Sequence, residues 1–138
     1  MASSCDNQPF RLVLALADEL LGQIDHAARS CGITPQQARV LMQLEEPRRM
    51  CELAEQQALD PSTMTSMVDR LERNGLAVRR SDPSDGRVRQ VALTAAGRRT
   101  RNRFFAELTA QPDPFDALTP EQRLALVERL GSAGQQSA

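Results

Sequence analysis

The sequence predicts a mainly α chain with one small β-hairpin. Apolar residues recur at helical spacing through most of the chain, and the recurring segments open on threonine or aspartate followed by proline. One pair of strand-like runs stands apart, separated by the turn-rich loop Asp82-Pro83-Ser84-Asp85-Gly86-Arg87. Charge is uneven as well. The net charge is −1, yet residues 48–103 hold twelve arginines against seven acids, leaving the remainder of the chain acidic. A basic middle in a near-neutral chain is the footprint expected of a nucleic-acid-binding scaffold.

Residues 1–8 are expected to form a disordered tail. From Pro9 to Ser30 a wide apolar stripe (Phe10, Val13, Leu14, Ala17, Leu20, Leu21, Ile24, Ala28) predicts a long helix, ended by Cys31-Gly32. Thr34-Pro35-Gln36-Gln37 reads as a capping box opening a helix to about Glu46. Met50 to Ala58 reads as a short helix. Asp60-Pro61 then starts a helix whose apolar face is Met64, Met67, Val68 and Leu71, with Ser62, Ser66, Asp69 and Arg73 opposite. Asn74-Gly75 stops it. Leu76–Ser81 and Val88–Leu93 form the hairpin, with room for a one-residue β contribution near Arg49. Thr94 caps a helix to about Ala110. Thr119-Pro120-Glu121-Gln122 opens a last one to Leu130, and residues 132–138 are expected to be a polar tail.

A helix followed by a basic-tipped hairpin is the layout of a winged helix-turn-helix, with the helix in the major groove and the wing at the backbone or minor groove. The segment Leu71-Glu72-Arg73-Asn74-Gly75-Leu76, the loop Asp82–Arg87 and the closing Val91-Ala92-Leu93-Thr94 resemble the signature of the MarR family of bacterial transcription regulators. The resemblance extends over nearly the whole chain. It implies a single domain over 1–138. Residues 34–94 would form the winged DNA-binding core, and residues 9–32 and 95–131 would supply dimerisation helices. The apolar stripes of those terminal helices independently call for a second copy, which predicts a two-fold homodimer on pseudo-palindromic double-stranded DNA. Half-sites would lie roughly 10 bp apart.

Candidate DNA contacts are Ser62, Thr63, Thr65 and Ser66 at the helix start, Arg70 and Arg73 further along, and Arg87 and Arg89 of the wing. Arg87 fits a narrow A·T-rich minor groove best. By resemblance, Asp85 and Arg87 match the family's Asp-x-Arg wing element. Asp85 would then hold a neighbouring arginine (Arg70, Arg79 or Arg80) and set the wing geometry, Arg79 being the wing-supporting partner. The family often carries arginine where this chain has Ser66, a departure at a base-reading position.

Two signals compete. One is a small aromatic or amphipathic acid in a cleft that the resemblance lines with the first two helices and the one after the hairpin. Positions there are Ile24, His26, Ala28, Arg29, Val40 and Leu44. The other is thiol oxidation at Cys51, which follows Arg48-Arg49 at a helix start, features that favour a thiolate. The hydroperoxide-sensing branch of the family uses a cysteine near the start of the first helix; Phe10 sits near that level here. Three cysteines are too few and too ill-spaced for zinc, so neither metal nor cofactor is expected. One histidine and the lack of a nucleophile elbow or phosphate-cradling loop argue against an enzyme. A winged-helix module that binds protein instead of DNA is the remaining alternative. With no long apolar run and no signal segment, a cytoplasmic, membrane-free protein is expected, associating with the nucleoid when DNA-bound.

Overall fold

The computed structural model describes residues 8–116 and 118–135. Six helices and a small sheet follow in the order α1 (Gln8–Ser30), α2 (Pro35–Gln43), β1 (Arg48–Arg49), α3 (Met50–Gln56), α4 (Pro61–Arg73), β2 (Ala77–Ser81), β3 (Arg89–Leu93), α5 (Ala95–Thr109) and α6 (Pro120–Gln135). The fold class is therefore the one the sequence predicts. β1 is real but two residues long, pairing Arg48 with Val91 and Arg49 with Gln90, so the antiparallel sheet runs β1-β3-β2. The hairpin register sets Ala77 opposite Leu93 and Ser81 opposite Arg89.

The caps act as their sequences suggest. Thr34 accepts from the Gln37 N–H at 3.1 Å while the Gln37 side chain accepts from the Thr34 N–H at 3.0 Å. Thr119 and Gln122 repeat this reciprocal pair at the start of α6. Each pair satisfies two backbone donors that a helix start otherwise leaves orphaned. Thr94 accepts from the Gly97 N–H at 3.0 Å and donates its hydroxyl to the Gly75 carbonyl at 2.6 Å, so one side chain starts α5 and pins the turn before β2.

Two boundaries differ from expectation. α2 ends at Gln43, because Leu44 leaves the helical region at ψ 39° while its side chain stays buried. α6 continues through Gln135, past Gly131 and into the stretch expected to be polar tail, since a glycine weakens a helix without ending it. Residues 1–7 and 136–138, expected as tails, lie outside the described residues.

The chain packs as two compact units. One comprises residues 21–110, the other residues 1–20 with 111–138. In the first, Met64, Val68 and Leu71 of α4 are fully buried with Leu41 of α2, Leu53 of α3 and Val91 of β3. Phe104 buries α5 in the same core, so α5 packs with the winged portion although the sequence grouped it with the terminal helices. Gly97 makes that packing possible: a Cβ there would stand 1.8 Å from the Leu76 carbonyl oxygen. In the second unit, Arg123 of α6 pairs with Asp113 at 2.9 Å and Asp116 at 3.2 Å, fastening the preceding loop to the helix.

Candidate nucleic-acid interface

Helix α4 is two-sided. Its buried face is apolar, while Ser62, Thr65, Ser66, Arg70 and Arg73 are exposed and Thr63 is half-buried. The start of the helix is tightly wired. Asp60 accepts from the Thr63 N–H at 2.9 Å and from the Thr63 hydroxyl at 2.6 Å, and the Ser62 hydroxyl donates to the same carboxylate. These bonds, the Ser62 hydroxyl foremost and then Thr63, hold the Asp60 carboxyl well below the usual carboxylate range. The Thr65 hydroxyl donates to the Pro61 carbonyl at 2.8 Å. Three of the four hydroxyls expected to contact DNA thus already spend their protons inside the helix start. They retain acceptor capacity, but their donors must be released to reach phosphate. Ser66, Arg70 and Arg73 project from the same helix beyond this wiring.

Arg79 of β2 does not reach the wing loop. Its guanidinium pairs with Asp69 at 2.7 Å and with Glu72, its Nη2 donates to the Thr65 carbonyl at 3.3 Å, and its backbone N–H donates to Glu72 at 2.7 Å. One arginine therefore neutralises both acids of α4 and locks the helix to the root of the wing. A charged partner with several bonds to one element fixes orientation as well as charge.

The acid that organises the wing is Asp82, and this corrects the expectation placed on Asp85. Asp82 is buried. Its Oδ1 accepts from the Ser84 hydroxyl at 2.7 Å and the Ser84 N–H at 2.8 Å. Its Oδ2 accepts from Arg49 Nη2 at 3.1 Å, Arg49 Nε at 3.3 Å and Gln90 Nε2 at 3.0 Å. The Ser84 bonds, then the Arg49 guanidinium, hold its carboxyl at about 2 against the burial that pushes it up. Asp85 is exposed and accepts only locally, from the Arg87 N–H at 3.1 Å, shaping the turn that presents Arg87. Asp82 joins β1, the wing loop and β3 in one cluster. The Asp-Pro-Ser spacing, a local Asx-turn signal, was the readable part. Arg49, 33 residues away, was not.

Wing residues Arg87 and Arg89 are exposed. Arg89 also lines an open groove of about 380 Å³ with Met50, Cys51, Pro61, Thr65 and Arg79. Cys51 is exposed there, at the second residue of α3. Cys31, by contrast, is half-buried, and burial pushes its thiol up despite Arg103 nearby.

The positions expected to line an effector cleft divide differently. Ala28 and Val40 are fully buried and Leu44 nearly so, all three within the core of residues 21–110. Ile24 is half-buried against that core, His26 is exposed, and Arg29 pairs with Asp25 at 2.6 Å. A ligand at Ala28 or Val40 requires the helices to part. They were chosen by their place on the helices that the resemblance assigns to the cleft, and place on a helix does not separate core from cleft. Among the described residues, no helix is long and apolar enough to cross a membrane.

Comparison with known proteins agrees with this architecture. Residues 33–88 match the MarR family. The HTH-type transcriptional repressor MdtR of Bacillus subtilis (strain 168) is 33% identical over 85 residues, covering 60% of this chain and 55% of MdtR. The chain spans about half the length of the first curated relatives it matches. The crystal structure of CouR from Rhodococcus jostii RHA1 bound to p-coumaroyl-CoA superposes with a TM-score of 0.79 at 28% identity, over 98% of this chain and 94% of CouR. A mutant MarR from E. coli complexed with operator DNA shares the fold, with a TM-score of 0.74 at 22% identity over 95% and 99% of the two chains. The cap-wired helix α4, the Asp82-rooted wing and these matches lead to one conclusion: residues 33–88 carry the sequence pattern of the MarR family, and the chain has the winged helix-turn-helix fold of solved MarR-family regulators.

Proposed function

We propose that this chain is a DNA-binding transcription regulator that acts as a homodimer on a pseudo-palindromic operator. The observation that carries the reading is the division of α4. One face is sealed in the core, and the other offers Ser66, Arg70 and Arg73, with the exposed wing arginines Arg87 and Arg89 in the same unit. Helix donors and arginines read base edges and phosphates, while a wing guanidinium suits a narrow minor groove. Asp82 and Arg79 do not contact DNA in this scheme. They hold the wing and helix at a fixed spacing.

Support for the dimer comes from Val13, Leu14 and Leu21 of α1 and Leu124 and Val127 of α6, all large apolar side chains left exposed in the single chain. Val13, Leu14, Leu124 and Val127 fall within one compact unit, and several large apolar side chains exposed on one unit favour a surface that meets another protein. The regulator is a repressor in this reading, released when a small aromatic or amphipathic ligand binds. The relation to CouR, which carries p-coumaroyl-CoA in its crystal structure, favours that ligand class.

A second reading of the signal rests on Cys51, whose thiol lies exposed in the groove with Arg79 and Arg89. Oxidation there adds bulk or charge beside the DNA-facing helix. Alkylating the thiols separates the two: a redox switch stops responding to peroxide, whereas a ligand switch still releases.

Selecting bound fragments from the source genome and measuring their retention against salt tests the whole proposal. A regulator enriches a recurring pseudo-palindrome and shows steeply salt-dependent binding. A winged module that binds protein would leave every duplex free at low salt.

A further inference from the structure

On a part of the fold away from α4 and the wing tip, a second cavity of about 190 Å³ lies where the segment after α2 meets the sheet and α5. Its walls bring together three arginines, Arg80 of β2 with Arg98 and Arg101 of α5, beside Asn102. Arg98 is partly engaged, donating from Nη1 to the Leu93 carbonyl at 3.3 Å. Arg101 is not settled. Its side chain is 19% exposed, and its Nε is buried without a hydrogen-bond partner. One face of the guanidinium is covered by the Phe105 ring, 5.1 Å from the centroid. Its nearest acid, Glu45, stands 4.0 Å from Nη2 on a side chain that is 81% exposed.

The flat face of Arg101 is thus occupied by a ring, while its Nε lacks an acceptor and its Nη2 meets only the distant Glu45. A guanidinium edge is a fork of N–H donors that matches the paired oxygens of a carboxylate or phosphate. An unpaired buried donor is costly, so an acceptor supplied from the cavity is favoured at this point. The acids in the wall are Glu45 and Glu46, both exposed, and they leave the three guanidiniums in the majority.

We propose that this cavity binds a small oxyanion, held in the plane of the Arg101 guanidinium with Arg80 and Arg98 closing around it. The site involves none of the residues assigned to DNA, and of the positions expected to line an effector cleft it includes Leu44 alone. It bridges β2 and β3 to α5, so occupancy would brace the root of the wing against that helix.

The test uses the full chain without DNA, so its outcome is independent of the proposed DNA binding. Sodium benzoate and inorganic phosphate are titrated separately into ¹⁵N-labelled protein while the arginine Nε–H and backbone amide resonances are followed. Saturable shifts at Arg101 Nε–H and at residues 92, 93 and 102 are expected with at least one probe. Saturation by benzoate alone identifies a carboxylate site and by phosphate alone a phosphate site. Arg101→Ala should weaken that binding at least tenfold, and Arg80→Ala, a change at an exposed side chain, severalfold without unfolding the protein. Glu45→Gln should tighten it. Absence of saturable shifts with both probes, or affinity unchanged in both arginine variants, overturns the site.

Discussion

Helix α4 and the terminal helices all carry apolar residues at helical spacing and put them to opposite ends. On α4, Met64, Val68 and Leu71 have no exposed surface. On α1 and α6, Val13, Leu14, Leu124 and Val127 remain 63%, 48%, 61% and 66% exposed. Periodicity alone is blind to this difference, because it says that a face must be covered and not by what. Within residues 21–110 the stripe of α4 is covered by the unit's own core; in the proposed dimer the stripes of the terminal helices are the ones a second copy covers.

The sharpest way to break this contrast is to damage each stripe in turn. Leu71→Ala should lower stability by about 2–5 kcal/mol in denaturant unfolding, as expected for a leucine deleted from a packed core. Leu124→Ala should instead leave the winged unit's unfolding free energy within about 0.5 kcal/mol. Its effect belongs in the protein-concentration dependence of the melting temperature, where a weakened dimer shows itself. Equal losses for the two would remove the distinction.

Next in size is Gly97→Ala. With the added carbon forced onto the Leu76 carbonyl, α5 has to shift from the turn before β2, at a cost of about 1–3 kcal/mol or more. An alanine variant with unchanged thermal stability would show that α5 is not tightly seated on the winged unit.

Arg87→Ala comes third. It should weaken operator binding at least tenfold at physiological salt, about 1.4 kcal/mol, and lower the salt slope by about 1. The fold should be untouched, because Arg87 is exposed at the wing tip. Unchanged affinity and slope would remove the wing from the interface.

Smallest is the pH response of the Asp82 cluster. With its carboxyl at about 2 in the folded chain and about 3.9 when unfolded, Asp82 binds its proton more readily unfolded. Its stabilisation is therefore complete above about pH 4 and is lost as pH falls through 2. Wing resonances should stay put between pH 5 and 8 and shift only in that acid window, and Asp82→Asn should remove the transition.

Most of the architecture was legible because its signals are local. Thr34, Asp60, Thr94 and Thr119 announce their helices by residue type and three-residue spacing, and Asn74-Gly75 announces a stop that the backbone makes with glycine at φ 69°. The site was legible in outline for the same reason, since an arginine in a turn-rich loop reads as a wing tip. What escaped was long-range pairing. Asp82 and Asp85 look alike in sequence, and only the fold brings Arg49 and Gln90 to the first of them. The arginine surplus of residues 48–103 was similarly indiscriminate: Arg49 and Arg79 are engaged by internal acids, and Arg98 and Arg101 line a cavity. Ala28 and Val40, apolar and helical, carried no mark to separate a cleft wall from a core.

Sedimentation of the full chain, alone and with a genome-selected duplex in dilute buffer, tests the account most directly. It predicts a dimer that loads as two chains per duplex. A monomer alone, or a dimer that leaves the duplex free at the lowest salt, would contradict it.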